Sequence, residues 1–524
     1  MRFITAFIFF LSLCSPSFSQ IMEDQLQADS LSTSQNFGKS NAIWISGDHA
    51  FVGDPDDNGG RGAVSVFERS TRGTWSLKGV LRDANALPND GFGRAIAGDG
   101  RYLIVGEHYG DDLINGVADT GAAFIYDLVN PTAPPTRLPL PAGFSAGDMF
   151  GIAVDICSTS NPPLAVVGGP RTDALSTDEG TVLVYNFDGT TWVHQSTIDT
   201  VPGSGSLFGR AVAITSNPNV TGQVEMIVGA PGGGAGDVIF FHYNFGGWVQ
   251  ISRIIGSGST FGDGFGISVA IDEDFAAVGA YTEDIAGQTK AGAAYVFKRG
   301  AGGWPTLQTQ EDFRIAGVNQ DDWLGLDVDI VKTGPDSALF VAGHSRSDER
   351  GTDAGSIHFV ERTGPGTWSP AEELTPVYGD SGWRFGDGVA IGISGSRRLV
   401  MAGARVAKLV QVFDIDRDSS TFTGPISISP RLMPGDNTFK TYSVEQGASV
   451  EFIFGTRLGN APHQGCTTVF GNPRLLYPLP VVPNQYGEAE CTFTLPIYTV
   501  RFGIQAVEYI PGGACLSISA PIEF

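Results

Sequence analysis

The stretch that decides the fold is residues 265–297, FGISVAIDEDFAAVGAYTEDIAGQTKAGAAYVF. It contains three short apolar runs, of which the first follows Phe265-Gly266, the second ends at Val278-Gly279-Ala280 and the third starts after Gly292. Each run has the length of a β-strand and is bounded by glycine and polar turn residues. The stretch therefore predicts three consecutive strands joined by turns.

The opening dipeptide of this stretch recurs along the chain at intervals of 55 to 61 residues. The seven copies are Phe37-Gly38, Phe92-Gly93, Phe150-Gly151, Phe208-Gly209, Phe265-Gly266, Leu324-Gly325 and Phe385-Gly386. A fixed period of this length is the signature of a repeat architecture, in which each copy is one supersecondary unit. The chain is therefore predicted to contain seven copies of one structural unit.

Each unit is predicted to supply four strands. A second apolar run ends in glycine, a third starts after a polar loop, and a fourth segment often carries a tryptophan: Trp75, Trp192, Trp248, Trp304 and Trp368. The second runs, such as Leu103-Ile104-Val105, do not alternate with polar residues, which indicates a sheet that is buried on both faces. Seven such sheets predict an all-β fold, a seven-bladed β-propeller of four-stranded blades.

The repeat resembles a known family. The pattern Phe208-Gly209 followed by Gly229-Ala230-Pro231 is similar to the FG-GAP repeat of the integrin alpha-chain propeller and of many exported bacterial proteins. The resemblance covers about residues 37–425 and implies a propeller that binds ligands through loops on one face. The Asp-x-Asp-x-Asp-Gly calcium loops of integrin blades do not occur in the corresponding connections here, so those calcium sites are not expected.

The N-terminus predicts export. Arg2, an apolar run over residues 3–14 and a small-residue end before Gln20 have the layout of a signal peptide, assigned to residues 1–19. No later stretch approaches the roughly 20 apolar residues of a spanning helix. The formal net charge of −24 argues against nucleic acid as a partner, because a strongly acidic surface repels phosphate. We expect a secreted or cell-surface protein.

The repeat period is lost after about residue 428. We assign residues 24–428 to the propeller and residues 429–524 to a small antiparallel β-sandwich, because strand-like runs alternate there with proline and glycine turns. Three cysteines cluster in this C-terminal domain, and in an exported protein such a cluster suggests a disulfide. We favour a disulfide between Cys466 and Cys515 with Cys491 unpaired, and the sequence leaves the connectivity open. Cys157 is expected to be a buried, inert thiol.

The loops between second and third strands are the longest and most acidic, and by repeat symmetry they share one face. Their acids are interpreted as turn formers in solvated loops. The best candidate for a divalent cation, with calcium as the possible cofactor, is the group Asp54, Asp56, Asp57 and Asn58. No zinc-type spacing relates the histidines, and residues such as His108 and His344 are interpreted as surface loop residues.

The sequence contains no catalytic motif such as a Gly-x-Ser-x-Gly elbow or a phosphate-binding loop. We therefore expect an exported, non-enzymatic binding or adhesion-like protein, with an extracellular protein or glycan as ligand. The alternative is a secreted propeller enzyme that acts on polysaccharide through carboxylates lining the central channel. A structural component of the cell envelope is a third possibility. The ligand and the oligomeric state are left open.

Overall fold

The computed structural model describes residues 21–28, 36–70, 74–113, 115–173, 176–199, 203–217, 224–244, 247–305, 311–376 and 381–416, and the backbone of the strands between Ile428 and Glu523. The predicted signal peptide lies outside the described residues. The chain divides into two compact units, and the unit Met22–Asp414 holds the propeller. Within the described residues, no helix has the length and apolar character required to cross a membrane.

The first unit is a seven-bladed β-propeller, as predicted. Each blade is an antiparallel sheet whose strands follow one another from the centre outwards. Blade one contains β2 (Ile43–Ser46), β3 (His49–Asp54), β4 (Ala63–Arg69) and β5 (Trp75–Leu81). Blade two contains β6 (Phe92–Gly98), β7 (Tyr102–Glu107), β8 (Ala122–Asp127) and β9 (Thr136–Arg137). Blade three contains β10 (Ala153–Cys157), β11 (Leu164–Gly169), β12 (Thr181–Phe187) and β13 (Trp192–Ile198).

The remaining blades continue the same order. Blade four contains β14 (Ala211–Ser216), β15 (Val224–Ala230), β16 (Asp237–Asn244) and β17 (Gly247–Ile254). Blade five contains β18 (Ser268–Asp272), β19 (Phe275–Ala280), β20 (Ala293–Lys298) and β21 (Phe313–Ala316). Blade six contains β22 (Leu324–Gly334), β23 (Ser337–His344), β24 (Ser356–Gly364) and two short outer strands, β25 (Thr367–Trp368) and β26 (Glu372–Leu374), both paired with β24.

Blade seven is completed from the other end of the propeller sequence. It contains β27 (Phe385–Ser394), β28 (Arg397–Ala404) and β29 (Leu409–Asp414), and its outer strand is β1 (Ile21–Gln27), which pairs with β29. The sequence left open which strand closes the ring, and the structure assigns this role to β1. Strand β27 also contacts β2 of blade one, so the first strands form a closed circle. Helical structure among the described residues is confined to α1 (Asp57–Gly60) and a 3-10 turn, Arg405–Ala407.

The hydrophobic core of the propeller lies between the blades. One cluster joins blades three and four through residues such as Val184, Phe208 and Val228, and another joins blades four and five through Phe240, Phe265 and Tyr295. The second strands are buried along their whole length in β7, β11, β15 and β19. Burial on both sides confirms the reading of the continuous apolar runs, because each sheet packs between two neighbours. Cys157 is buried and free, as expected.

Two glycines of the repeat set the distance between blades. The opening glycine has a positive φ in all seven repeats, between 68° in Gly38 and 92° in Gly266. The glycine that ends each second strand lies against the carbonyl of the opening glycine in the next blade. A methyl group on Gly229 would lie 1.9 Å from the carbonyl oxygen of Gly266. Side chains are therefore excluded at both positions, for conformational reasons at the first and steric reasons at the second.

The C-terminal unit contains ten strands beyond the propeller. They are β30 (Ile428–Ser429), β31 (Asp436–Tyr442), β32 (Ser449–Gly455), β33 (Leu458–His463), β34 (Cys466–Phe470), β35 (Pro473–Leu475), β36 (Glu488–Thr494), β37 (Gly503–Tyr509), β38 (Cys515–Ile518) and β39 (Ile522–Glu523). The pairings are antiparallel and form sheets β30-β31-β36, β35-β32-β37-β38 with β39 on β37, and β33-β34. The β-sandwich stays a prediction, and the side chains of Cys466 and Cys515 lie outside the described residues.

Candidate functional site

We use the name loop face for the side of the propeller that carries two kinds of loop. These loops join the second strand of a blade to its third and the fourth strand to the first strand of the next blade. Both kinds emerge on the same side because successive strands of a blade are antiparallel. The acidic loops singled out in the sequence lie on this face.

Several of the acidic loop residues form turns. In four blades, the first aspartate of the loop accepts a hydrogen bond from a backbone N–H further along the same loop, at 2.8 to 3.1 Å. The pairs are Asp111 with Asp119, Asp173 with Asp178, Asp284 with Lys290, and Asp348 with Asp353. Each donor residue has a φ between 48° and 54°. The carboxylates thus stabilise a left-handed backbone conformation, which supports their interpretation as turn formers.

The predicted cation group of blade one lies at the end of β3. Asp54 is buried, and Asp57 is buried and forms an ion pair with Arg82. The exposed Asp56 accepts a hydrogen bond from the side chain of Asn36, and Asn58 is exposed with a φ of 52°. Asp56 and Asp57 are therefore engaged by side chains of the protein. Calcium binding at this group stays a prediction.

The central channel contains aspartates that connect adjacent blades. Asp155 of β10 accepts the N–H of Ile214 in β14 at 2.7 Å, and Asp329 of β22 accepts the N–H of Ile391 in β27 at 2.7 Å. These N–H groups belong to the channel-side edge of the first strand, which has no further strand to pair with. The carboxylates therefore satisfy backbone donors that a sheet edge leaves open.

Burial changes the protonation of these channel aspartates. It raises the pKa of Asp155 and of Asp329 to about 7, against the lowering effect of the backbone N–H groups that each carboxylate accepts. Asp327 has a pKa of about 7 for the same reason and accepts the N–H of Val389 at 2.9 Å. Asp272 accepts the N–H of Lys332 at 2.8 Å, and burial raises its pKa to about 6. Each of the four carboxylates accepts at least one backbone N–H from a neighbouring blade, and Asp155 and Asp329 also accept the N–H of the next residue in their own strand.

Three cations lie at the mouth of the channel on the loop face. Lys39, Arg94 and Arg210 each follow directly after the opening glycine of blades one, two and four, at the start of the innermost strand. We call them the channel-mouth cations. Arg94 is buried and its Nη1 donates to the carbonyl oxygen of Ser40 at 3.0 Å.

The pKa values of these cations reflect their proximity. Burial is the largest cause and the neighbouring guanidinium groups add to it, lowering the pKa of Lys39 to about 8 and that of Arg94 to about 9. The charge of Arg210 lowers the pKa of Arg94, although blade three lies between their two blades. This influence agrees with a position near the centre of the ring for both side chains. The three cations share this region with carboxylates, because Asp387 acts to raise the pKa of Lys39 and Asp327 acts to raise that of Arg94.

Exposed apolar side chains occur in several loops of the same face. Phe261 is 88% exposed and Val318 71% exposed, in the loops that lead into blades five and six. Leu87 and Leu113 are 50% and 58% exposed in loops of the first two blades. Isolated exposed apolar residues are common, but here several occupy the loops of one face. The loop face therefore combines the channel-mouth cations with apolar side chains that are free to contact a ligand.

The interpretation of the histidines as surface loop residues is wrong for His344. This residue is the last of β23, pairs with Ser356 of β24 and is only 5% exposed. His344 directly follows the repeat glycine Gly343, which is the penultimate residue of β23, so the repeat itself places His344 in the sheet. Its neighbour His358 lies in β24, where burial and then the nearby His344 lower the pKa of His358 to about 4.

The channel-mouth cations were also not predicted from the sequence. The signal was present, because the residue after each opening dipeptide is charged in blades one, two, four and seven. Asp387 is the charged residue of blade seven and forms an ion pair with Arg405. An alignment of the seven repeats would have shown that this position carries a charged residue in four of them.

The fold and the loop face define a seven-bladed β-propeller, and comparisons with known proteins agree. Residues 75–126 and 248–297 match the family described as FG-GAP repeat, each match running from the outer strand of one blade into the third strand of the next. The FG-GAP resemblance is therefore confirmed for these two segments. A comparison with curated proteins found no match.

Three solved structures are similar to this chain at low sequence identity and low TM-score. A mutant Aleuria aurantia lectin in complex with alpha-methyl-L-fucoside is 10% identical, with a TM-score of 0.34, and covers 61% of this chain and 89% of the lectin. The polysaccharide lyase Uly1 is 8% identical, with a TM-score of 0.41, and covers 75% of this chain and all of the lyase. TolB from Acinetobacter baumannii is 11% identical, with a TM-score of 0.29, covering 72% and 79% of the two chains.

Proposed function

We propose that the protein is an exported, non-enzymatic binding or adhesion-like protein that recognises an extracellular glycan or protein through the loop face of its propeller. The observation that carries this proposal is the convergence of Lys39, Arg94 and Arg210 at the channel mouth. Arg94 is buried and Lys39 and Arg210 are partly buried, so little water screens their attraction for an anionic group. The ligand therefore carries a carboxylate, sulfate or phosphate group that reaches the centre of the ring.

The exposed apolar side chains support the same face as the ligand-binding surface. Phe261 and Val318 are exposed in loops of the loop face and would contact parts of the ligand outside its anionic group. Apolar contacts around a charged anchor are typical of specific recognition sites. The calcium group of blade one, with Asp54 and Asp57, lies on this face too and is retained in the proposal as a weak site.

The enzyme alternative is less favoured. It requires channel carboxylates that are available as acid and base, but Asp155, Asp272, Asp327 and Asp329 accept backbone N–H groups of neighbouring blades. A general acid or base must instead reach the substrate proton within hydrogen-bond distance. Hydrolase and lyase assays on acidic polysaccharides test the alternative directly. Turnover that an Asp-to-Asn change in the channel abolishes would replace the binding proposal.

The binding proposal is tested with the purified full chain on an array of anionic and neutral glycans and extracellular matrix proteins. We expect binding of anionic ligands that weakens with added salt. Lys39→Gln and Arg210→Gln should each weaken it at least tenfold. Lys78→Gln is the matched control, because Lys78 lies on the outer strand β5 and is 51% exposed. Binding that is insensitive to both channel-mouth substitutions would contradict the proposed site.

A further inference from the structure

Strand register brings His344, His358 and Glu373 together on one face of blade six. His344 pairs with Ser356, two residues before His358 in β24, so the two histidines point to the same side of the sheet. His358 lies directly opposite Glu373 of β26. Three adjacent strands, β23, β24 and β26, therefore present two imidazoles and one carboxylate next to one another.

The distances between these groups are those of a compact ligand set. Nδ1 of His344 lies 3.1 Å from Nε2 of His358, and Nε2 of His358 lies 3.9 Å from Oε1 of Glu373. One ligand atom from each residue falls within 4.8 Å of the others. Atoms that share a tetrahedral metal ion at bond lengths of about 2.0 to 2.2 Å are separated by a little more than 3 Å, so small side-chain movements complete the set.

The surroundings of His344 fit a metal ligand. Its second ring nitrogen, Nε2, lies 3.3 Å from Oδ2 of the buried Asp322. Metal-binding histidines commonly direct the ring nitrogen that does not bind the metal at a carboxylate, which fixes the tautomer and the ring orientation. Asp322 is itself held by the backbone N–H of Asn319 at 3.0 Å. No hydrogen bond to Nε2 of His344 forms among the described residues, but Asp322 lies close enough to accept one after a small side-chain rotation.

The group also leaves polar atoms without conventional partners. Nδ1 of His358 is buried and has no hydrogen-bond partner among the described residues. One N–H···N hydrogen bond between His344 and His358 would be enough to hold the two rings together. That bond does not explain why the carboxylate of Glu373 lies beside them. Ser347 donates to Oε1 of Glu373 at 3.4 Å, which positions the carboxylate beside the two rings.

We propose that His344, His358 and Glu373 form a binding site for a divalent transition-metal ion, with Zn²⁺ as the preferred class. Two imidazoles and one carboxylate suit Zn²⁺ better than Ca²⁺, which takes six to eight oxygen ligands. Three protein ligands leave a fourth position for water or for a group on a ligand. The ion would also connect the short outer strand β26 to β23 and β24.

The site is tested by adding Zn²⁺ alone to the full chain after chelator treatment and removal of any affinity tag. Isothermal titration calorimetry should show one ion per chain, and the melting temperature should rise with Zn²⁺ concentration. His358→Gln and Glu373→Gln should each weaken the affinity at least tenfold. The control is His49→Gln, because His49 is an exposed histidine in blade one that does not belong to the group.

A second readout separates metal binding from folding effects. Co²⁺ in place of Zn²⁺ should give the visible absorption of a tetrahedral site, and this band should be lost in the Glu373→Gln chain. Glu373 is exposed on the outer strand β26, so this variant is expected to keep the wild-type circular dichroism spectrum. Wild-type chain that binds no stoichiometric ion, or binding unchanged in both variants, would overturn the proposal.

Discussion

At the scale of single residues, the repeat is explained by glycine. The opening glycine needs a positive φ, and the second-strand glycine needs the absence of a side chain because the next blade's carbonyl lies against it. The sequence period could therefore be recognised without a structure, since the same two constraints act in every blade. Lys408 shows the limit of the rule, because it adopts a φ of 59° where the other repeats have glycine before the third strand.

A substitution at the second-strand glycine should destabilise the propeller. In Gly229→Ala, the new methyl group would overlap the carbonyl oxygen of Gly266, so the blades must move apart. We expect a loss of about 1–3 kcal/mol or more in the free energy of unfolding, measured by urea denaturation. Gly79→Ala is the control, because Gly79 lies on the exposed outer strand β5 with open space around its Cα. Equal stability of the two variants would contradict this account.

The metal group was not predictable from the sequence for a physical reason. His344, His358 and Glu373 are 14 and 15 residues apart, which matches no local ligand motif. The three residues meet only because β23, β24 and β26 pair in a particular register. The outer edge of β24 is shared by two short strands, β25 and β26, so the register of β26 depends on where the break between them falls. The periodicity of the sequence predicts the strands, but it does not predict which residues of β26 lie opposite which residues of β24.

At the scale of elements, strand β1 determines how the ring closes. Leu26 of β1 is buried in the cluster that also contains Val412 of β29 and Phe67 of β4. Its neighbour Asp24 accepts the backbone N–H of Trp75 in blade one at 2.7 Å. The strand therefore contacts blade one as well as completing blade seven, and it stabilises the junction between the last and first blades.

A truncation in β1 should weaken this junction. Leu26→Ala should lower the free energy of unfolding by about 2–5 kcal/mol, because a fully buried side chain is replaced by a cavity. Leu77→Ala serves as the control, since Leu77 on β5 is 43% exposed. Denaturant titration measures both, and limited proteolysis should cleave the Leu26→Ala chain faster. A stability loss no larger than that of the control would show that β1 is not required for closure.

The fourth strands show where the sequence pattern was incomplete. Four of the five tryptophans named in the sequence lie in outer strands, but Trp304 lies in the turn before β21. There it stacks on Phe240 of blade four at 4.6 Å between ring centroids, and its Nε1 donates to Glu225. An aromatic residue at an outer position signals contact with the neighbouring blade as well as strand structure.

The predicted disulfide between Cys466 and Cys515 belongs to the same scale. The two cysteines begin strands β34 and β38 of the C-terminal unit. Peptide mapping by mass spectrometry without reduction should find the Cys466–Cys515 crosslinked peptide in chain that has been purified under oxidising conditions. A crosslink that contains Cys491 instead would show that the connectivity was assigned wrongly. Reduction should leave the propeller unaffected, because its cysteine, Cys157, is free.

At the scale of the whole molecule, the channel aspartates couple stability to pH. Asp155, Asp327 and Asp329 have folded-state pKa values of about 7, above the usual value of 3.8. Between about pH 4 and pH 7 the folded state therefore binds more protons than the unfolded state at these sites. Their contribution to stability is greatest at low pH and is lost as the pH rises through about 7.

The coupling is tested with one channel aspartate. Asp329→Asn should reduce the slope of unfolding free energy against pH between pH 4 and pH 7, by at most about 1.4 kcal/mol per pH unit. The control is Asp188→Asn, because hydrogen bonds from Thr191 and Thr190 hold the pKa of the exposed Asp188 below its usual value, outside this window. Identical slopes in wild-type and Asp329→Asn chains would show that Asp329 is ionised throughout.

The closure of the ring through β1 also has a consequence for the rate of folding. Most contacts of a blade are local, since its strands follow one another along the chain and can pair as soon as they are made. The β1–β29 pairing instead joins the two ends of the propeller sequence, so its loop-closure entropy must be overcome after the other blades have formed. We expect this step to limit the folding rate. A circular permutant that makes β1 continuous with β29 should therefore fold faster while keeping the same ring.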